Sequence, residues 1–239
     1  MTQESMRELM QKPEIKEAMN AMIFNFYQQQ KVGSLKRYKM LNPHVKKGQI
    51  VFVGSSSTEF FPINEMQLTL NLSRVIYNRG IGSTVTDDLL ATMNDCIFDL
   101  EPSKIFINIG SNDIAGPGPE GYNKEKFLAK YDKIMDQIKE RLPGCEVYVM
   151  AFYPVNVKAD FGLDKTIKAR MFATRTNANL MEANEAVERL AKNHGFNFIN
   201  VNEGLSDEEG NLKAEYSVEG LHMWPNAYAV VLENMKKYL

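Results

Sequence analysis

Short apolar runs rich in β-branched and aromatic residues recur from residue 49 onward, separated by longer amphipathic stretches. Such short runs are typical of strands buried on both faces, whereas apolar positions spaced three and four apart indicate helices. The predicted strands are residues 49–53, 74–78, 104–109, 146–152 and 196–201. The predicted helices between and after them are residues 86–98, 124–141, 165–194 and 226–238.

The alternation of strand and helix predicts the α/β class. We expect a three-layer α/β/α fold with a parallel five-stranded sheet, right-handed crossovers and helices on both faces. In open sheets of this kind, ligands and reacting groups lie outside the carboxyl ends of the strands. The segments that directly follow the strands are therefore the expected place of a functional site.

The segment before the first strand has a different character. Residues 5–30 are rich in Glu, Lys, Met and Ala, which predicts one or two helices, and the sequence KVGS at residues 31–34 predicts a break. We interpret residues 1–48 as a helical N-terminal extension packed on a main domain of residues 49–239. Its Met and aromatic side chains are typical of a core or an interface, so a homo-oligomer contact is the alternative use.

Composition and charge limit the kinds of molecule that the protein is expected to bind. The chain has 239 residues, of which 44% are hydrophobic and 24% charged, with a net charge of −2. This balance is typical of a globular protein, and it favours neither nucleic acid nor an anionic membrane, since both attract basic surfaces. No apolar run approaches the roughly 18 residues of a membrane span.

The cysteines and the N-terminus bear on the cellular compartment. Cys96 and Cys145 form no C-x-x-C pair and suggest no metal site, so we expect two free thiols. The polar and charged first residues lack the basic start and apolar stretch of a secretory signal. Together these features indicate a cytoplasmic protein.

The first predicted strand leads into the sequence GSSST at residues 54–58. A strand, a glycine and a small hydroxyl residue that opens a helix form a sharp turn, which can present the Oγ atom of Ser56 beside backbone N–H groups. Taken alone, such a turn also fits phosphate binding or a simple helix N-cap.

Two further turns carry candidate donors for a negatively charged oxygen. The sequence NRGIGS at residues 78–83 can supply a backbone N–H donor, although it also fits an ordinary loop with a helix N-cap. The sequence GSND at residues 110–113 contains Asn112, whose side-chain amide can point at a developing oxyanion. Asn and Asp after Gly are common loop residues as well.

The sequence EGLH at residues 219–222 contains a histidine with a carboxylate three residues before it. Glu219 can fold back to accept from Nδ1–H of His222, which fixes the tautomer and leaves Nε2 free as a base. The other two histidines fit structural roles: His44 lies in a Pro-containing loop before the first strand, and His194 lies at a helix end.

In this order, the four blocks resemble those of the SGNH hydrolases, also called GDSL-type esterases and lipases. The resemblance covers residue 49 to the C-terminus and implies the family's flavodoxin-like fold. By position it implies that Ser56 is the nucleophile and His222 the general base. It also implies an oxyanion hole made of the Asn112 side chain and the backbone N–H groups of Ser56 and Ser83, with Gly82 directly before Ser83.

Two departures from the family pattern matter. Ser55 stands where the family usually has Asp, which should alter the support of the turn more than the chemistry. Glu219 stands where the family has the Asp of its Asp-x-x-His element, so the predicted triad acid is about 1.5 Å longer in reach. The alternative is that Glu219 faces solvent and a backbone carbonyl orients His222.

The resemblance implies a carboxylic ester hydrolase that works through an acyl-enzyme and needs no metal or organic cofactor. A short-chain ester, such as an O-acetyl group on a carbohydrate, is the expected small-molecule substrate by family analogy. Tyr153, with Phe152 beside it, and Trp224 are candidates for substrate contact, each with plain packing as its alternative. Arg175 either reaches substrate or pairs with a surface carboxylate, and the glycine- and proline-rich loop at residues 115–119 is expected to border the site.

Two other functions remain open from the sequence. The changes at Ser55 and Glu219 also fit a non-catalytic ligand-binding protein built on an esterase fold. The GSSST turn fits a nucleotide or phosphate binder less well, because the turn lacks the G-x-x-x-x-G-K-[ST] pattern and has no Lys that would reach a phosphate.

Overall fold

The computed structural model describes Leu9, residues 12–116 and residues 121–239. Five strands form one sheet, and the predicted strands are confirmed with shifts of at most two residues at their ends. The strands are β1 (Ile50–Gly54), β2 (Ile76–Gly80), β3 (Lys104–Asn108), β4 (Glu146–Met150) and β5 (Asn197–Ile199).

All five strands are parallel, in the order β2-β1-β3-β4-β5. Gly54 at the end of β1 pairs in register with Gly80 of β2 on one side and with Asn108 of β3 on the other. The carboxyl ends of these three neighbouring strands therefore lie level, and the turns that follow them meet at one edge of the sheet. This register positions the candidate site.

Helices cover both faces of the sheet. They are α1 (Pro13–Leu41), α2 (Ser56–Glu59), α3 (Ile63–Met66), α4 (Thr86–Cys96), α5 (Ser111–Ile114), α6 (Lys124–Arg141), α7 (Lys165–Met171), α8 (Asn177–His194) and α9 (Pro225–Met235). Alternate residues along the strands contribute their side chains to two hydrophobic core clusters. Val53 and Ile107 pack with α4, α6 and α8 on one face, whereas Phe52 and Phe106 pack with α9 on the other. The predicted three-layer α/β/α fold is confirmed.

The long helix predicted at residues 165–194 is interrupted, so that prediction was wrong in one respect. The chain leaves helical geometry after Met171 and re-enters it at Asn177, where the side chain of Thr176 caps α8 by accepting from the N–H of Asn179 at 3.2 Å. A capping residue of this type stabilises a new helix start. The interruption carries Arg175 into the protein interior.

Residues 13–41 form one long helix, α1, and the break predicted at residues 31–34 was wrong. Helix α1 runs through Gly33, because contacts with the main sheet offset the low helix propensity of glycine. Lys31 pairs with Asp88 at 2.8 Å, and the Tyr38 hydroxyl donates to the carbonyl of Gly80 at 2.6 Å. Residues 5–8, 10 and 11 of the predicted helix lie outside the described residues.

Two smaller expectations concern the C-terminus and the thiols. Helix α9 ends at Met235, and the rest of the predicted helix is a 3₁₀ turn, Lys236–Tyr238. Cys96 and Cys145 are free, and burial raises the pKa of the Cys96 thiol to about 11.

Among the described helices, none combines the length and apolar character that would let it cross a bilayer.

Candidate active site

Ser56 lies at the start of the short helix α2, directly after β1. The turn is tight: a Cβ atom at Gly54 would lie 2.2 Å from the carbonyl oxygen of Asn108, so only glycine fits there. The buried side chain of Asn78 donates to the carbonyls of Thr58 and Phe61 at 2.7 and 3.1 Å, which holds the far end of α2 against β2. The Ser56 side chain is thereby presented at the sheet edge.

The structure brings Ser56, His222 and Glu219 together in a line. Nε2 of His222 lies 2.9 Å from Oγ of Ser56, and Nδ1 lies 2.5 Å from Oε1 of Glu219. A carboxylate can only accept a hydrogen bond, so the proton of a neutral His222 ring belongs on Nδ1, which leaves the Nε2 lone pair facing the serine hydroxyl. This arrangement allows Ser56 to pass its proton to His222.

The loop that carries His222 is folded tightly on itself. Ser217 and Met223 form an antiparallel bridge, and the N–H of Val218 donates to the carbonyl of His222 at 2.8 Å. Gly220 at the tip has φ 99°, and a Cβ atom there would lie 2.4 Å from the carbonyl oxygen of Asn156. The loop is therefore closed only with glycine at this position, and the closure turns Glu219 back toward His222.

Glu219, the longer replacement for the aspartate of the family pattern, reaches Nδ1 through its carboxylate. No backbone carbonyl is needed to orient the ring. Burial alone raises the pKa of Glu219, but the hydrogen bond and charge of His222 outweigh it, so the net pKa lies below the ordinary value. Glu219 is thus held as a carboxylate beside the imidazole.

Two backbone N–H groups, in the turns after β1 and β2, are candidate donors for an oxyanion. The amides of Ser56 and Ser83 have no hydrogen-bond partner within the described ranges. Ser83 adopts a left-handed conformation with φ 60°, which is uncommon for a residue other than glycine. The N–H of Gly82, in contrast, donates to Oε2 of Glu59 at 2.9 Å. Gly82, expected as an alternative donor, is therefore already engaged, and Ser83 carries the free amide.

Asn112 lies in α5, at the end of the turn that follows β3. Its Nδ2 donates to the carbonyl of Thr84 at 2.9 Å, and its Oδ1 accepts from Nη2 of Arg175 at 2.7 Å. Since the amide nitrogen carries two hydrogens, one N–H remains for a further acceptor. The next residue, Asp113, accepts from the hydroxyl of Thr86 at 2.6 Å, which fixes α5 to the start of α4.

Arg175 is placed differently from either expectation. It neither pairs with a surface carboxylate nor lies exposed to a substrate, since only 4% of its surface is accessible. Its Nε donates to the carbonyl of Ser111 at 3.0 Å and its Nη1 to that of Met171 at 3.1 Å. The interruption between α7 and α8 is what brings it here.

The aromatic candidates divide into one exposed and one buried residue. Trp224 is 49% exposed two residues after His222, so it stays a candidate for the pocket wall. Tyr153 is buried in the core cluster with Tyr228, and this corrects its expected role in substrate contact. Phe152 is buried as well. Phe152 and Tyr153 both follow β4, and their rings lie in the two core clusters.

Phe60 is an aromatic residue that the sequence reasoning missed. Its ring meets the His222 ring edge-on with 5.1 Å between centroids, and 52% of the residue is exposed. Its place four residues after Ser56, one helical turn further on, was the available signal. Of the loop expected to border the site, residues 117–119 lie outside the described residues.

Nε2 of His194 lies 2.7 Å from Oδ1 of Asp132, away from the site, in agreement with a structural role. Within residues 12–116 and 121–239, no three His, Cys, Asp or Glu side chains come together in a way that could hold a metal ion.

The chain is similar to known proteins in sequence family and in fold. The model of the GDSL-like lipase/acylhydrolase family matches residues 58–230, and no curated protein sequence matches the chain. Among solved structures, a protein from Streptococcus pneumonia provisionally assigned as a platelet activating factor is 27% identical, with 92% of this chain and 98% of that chain covered and a TM-score of 0.79.

More distant structures share the fold. A GDSL-like lipase from Bacteroides thetaiotaomicron is 19% identical over 85% of this chain and 96% of its own, with a TM-score of 0.68. The acetylxylan esterase Axe2 from Geobacillus stearothermophilus is 14% identical over 81% of this chain and 95% of its own, with a TM-score of 0.60. With most of its length matched by the family model, the chain belongs to the GDSL-like lipase/acylhydrolase family.

Proposed function

We propose that this protein is a serine esterase that hydrolyses short-chain carboxylic esters through an acyl-enzyme intermediate. One observation carries the proposal: Oγ of Ser56 lies 2.9 Å from Nε2 of His222, whose Nδ1 lies 2.5 Å from the Glu219 carboxylate. The nucleophile lies within hydrogen-bonding distance of the base, and the base lies within that distance of the group that orients it, as nucleophilic catalysis requires.

In the acylation step, Ser56 Oγ attacks the ester carbonyl carbon while its proton moves to Nε2 of His222. The C–O double bond of the ester becomes a single bond to a negatively charged oxygen. When this tetrahedral intermediate collapses, the bond to the alcohol oxygen breaks and His222 returns the proton to that oxygen. Glu219 stabilises the imidazolium that exists between the two transfers.

The negative oxygen would be held by three donors: the N–H groups of Ser56 and Ser83 and the free N–H of Asn112. All three are fixed before substrate arrives, so little reorganisation is needed when charge develops. In the deacylation step, water takes the place of the alcohol. His222 accepts its proton, hydroxide adds to the acyl carbon, and collapse returns the proton to Ser56 and releases the acid.

The exposed rings beside the site indicate the kind of substrate. Phe60 places apolar surface against the His222 ring, and the exposed Trp224 follows His222 by two residues, which fits the alkyl or sugar-ring portion of an ester. The acetylxylan esterases that share the fold make O-acetyl groups on carbohydrates the first natural substrate class to test.

A panel of p-nitrophenyl esters from acetate to dodecanoate, together with acetylated xylan oligosaccharides, tests the proposal. We expect the highest kcat/KM with acetate or butyrate and a steep decline beyond. Ser56→Ala should remove hydrolysis, whereas Ser57→Ala, which deletes the neighbouring hydroxyl, should retain it. Hydrolysis that survives Ser56→Ala would contradict the assignment of the nucleophile.

The alternative of a non-catalytic binding protein on this fold makes a different prediction. A fluorophosphonate probe reacts covalently only with an activated serine. Labelling of the wild type and of Ser57→Ala, with none on Ser56→Ala, supports the esterase. Unlabelled wild-type protein that hydrolyses none of the esters would contradict it.

A further inference from the structure

Arg175 is a buried cation next to the proposed oxyanion hole. It lies between α7 and α8 and makes three hydrogen bonds, to the carbonyls of Ser111 and Met171 and to Oδ1 of Asn112. In the part of the chain that the structure describes, all of these acceptors are neutral oxygen atoms. Burying a guanidinium without an adjacent carboxylate is costly, and here each of its three nitrogen atoms donates one hydrogen bond.

The guanidinium of Arg175 interacts with two parts of the proposed catalytic site. It bonds Asn112 directly, and its electrostatic partner is Glu219, the carboxylate that orients His222. Burial lowers the pKa of Arg175 to about 10, and the charge of Glu219 opposes that shift. With a pKa of this size, the guanidinium is still charged at neutral pH.

The contacts of Asn112 explain what this charge can do. The planar amide is held at both ends, because Oδ1 accepts from Arg175 and one Nδ2 hydrogen goes to the carbonyl of Thr84. With Oδ1 facing a cation, the amide cannot rotate by 180° without placing its NH₂ group against the guanidinium. The direction of the second N–H is therefore fixed. A hydrogen bond from a cation to Oδ1 also polarises the amide and makes that N–H a stronger donor.

We infer that Arg175 is a positioning residue for ester hydrolysis, one that fixes and polarises the Asn112 amide so that its free N–H stabilises the oxyanion. The inference rests on the proposed esterase function. Arg175 itself touches neither the substrate nor the reacting atoms. Its effect should therefore appear in the transition state, where the oxygen is charged, and hardly in the binding of the neutral ester.

The test is a double-mutant cycle on p-nitrophenyl acetate with Arg175→Met, Arg175→Lys and Asn112→Ala. Loss of one oxyanion donor typically lowers kcat by about 10²–10³. We expect Asn112→Ala to fall in that range. Arg175→Met should lower kcat by roughly 30-fold or more with KM changed less than about threefold, and Arg175→Lys, which keeps a charge and one donor, should recover part of the loss.

The cycle distinguishes positioning from mere structural support. If Arg175 acts through Asn112, the double variant Arg175→Met/Asn112→Ala should be no slower than Asn112→Ala alone. If Arg175 only supports the fold, the two losses should multiply. Arg170→Met removes an exposed arginine from the neighbouring α7 and serves as the matched control, with wild-type kinetics expected. Thermal unfolding of every variant identifies those that fail to fold, and if Arg175→Met fails, the same cycle is run with Arg175→Lys.

The outcomes separate this inference from the proposed function. An active wild type in which Arg175 variants keep kcat within twofold, or lose it multiplicatively with Asn112→Ala, overturns the positioning role and leaves the esterase standing. A wild type that neither hydrolyses esters nor reacts with a fluorophosphonate overturns the esterase and the role together. A lowered kcat with unchanged KM, partial recovery by Lys and no added loss in the double variant supports the role.

Discussion

Oε1 of Glu219 contacts His222 at two points: it lies 2.5 Å from the ring atom Nδ1 and accepts from the backbone N–H of the same residue at 3.1 Å. The carboxylate thus holds the side chain and the main chain of His222 together. A longer acid in the place of the family's aspartate is accommodated because the loop closes around Gly220, whose positive φ turns the chain back.

Glu219→Gln should lower kcat on p-nitrophenyl acetate by roughly 10²–10⁴, with a smaller change in KM. The Gln amide can donate to Nδ1, which places the ring proton on Nε2 and removes the lone pair that Ser56 needs. Glu219→Asp is the matched variant: it keeps the charge, draws the carboxylate back by about one bond length and should lose about tenfold. A Gln variant with kcat within twofold of wild type would exclude Glu219 as the orienting acid.

Asp113 gives a prediction about stability and pH. Burial raises its pKa from 3.8 to about 6, against the hydrogen bonds from Thr86 that lower it. A folded-state pKa above the unfolded value means that the folded protein binds this proton more tightly. The stabilising contribution is therefore fully present below about pH 4 and is lost as the pH rises through about 6.

Asp113→Asn, which cannot ionise, should remove that dependence. A shift of about two pKa units corresponds to about 3 kcal/mol, so the free energy of unfolding of the wild type should fall relative to the variant by that order between pH 4 and 7. Urea unfolding at several pH values measures the difference, with Glu208→Gln as the exposed control. Parallel pH curves for the wild type and Asp113→Asn would contradict the expectation.

Glu59 should matter for activity although it does not face the ester. Its Oε2 accepts from the N–H of Gly82 at 2.9 Å, which anchors the turn that carries the free amide of Ser83. Glu59→Ala should loosen that turn and lower kcat by about tenfold, since one misplaced donor weakens oxyanion stabilisation.

Glu65→Ala, in the neighbouring short helix α3, removes an exposed carboxylate and is the control for Glu59→Ala. It should leave kcat unchanged. Glu59→Gln retains an acceptor oxygen and should fall between the two. Equal rates for all three variants would mean that the Gly82 contact does not position Ser83.

Helix α1 exposes apolar side chains along its first half, among them Met22 (70% exposed) and Phe26 (59% exposed). Such a surface is typical of an interface, and we expect the full chain to form a homo-oligomer through it. A chain starting at Lys31 keeps the contacts of Lys31 and Tyr38 with the rest of the fold. Size exclusion with light scattering should show this shortened chain as a folded monomer, and an unchanged oligomeric state would exclude α1 as the interface.

Much of the candidate site could be predicted from the sequence because its elements are local. GSSST, GSND and EGLH each lie within a few residues of a strand end or loop, and parallel strands in register bring their carboxyl ends together whatever the details of packing. The apolar periodicity likewise predicted the strands and the sheet, since burial on both faces leaves a direct mark on the residue pattern.

The predictions that failed depend on contacts between residues distant in the chain. Of the two alternatives for Tyr153, substrate contact and plain packing, the structure shows packing in the core cluster with Tyr228. Helix α1 continues through Gly33 because Tyr38 and Lys31 dock on the sheet and on α4, and docking energy outweighs local propensity.

The residue pattern is enough to predict the class of fold, the order of the blocks and Ser56, Asn112 and His222 as candidates. The folded structure was needed to show that Ser83 rather than Gly82 has the free amide, that Glu219 reaches the imidazole, and that Arg175 lies buried against Asn112. Each of these depends on where a side chain from one element finds a hydrogen-bond partner on another. Such pairing is set by three-dimensional packing and has no period or motif in the chain.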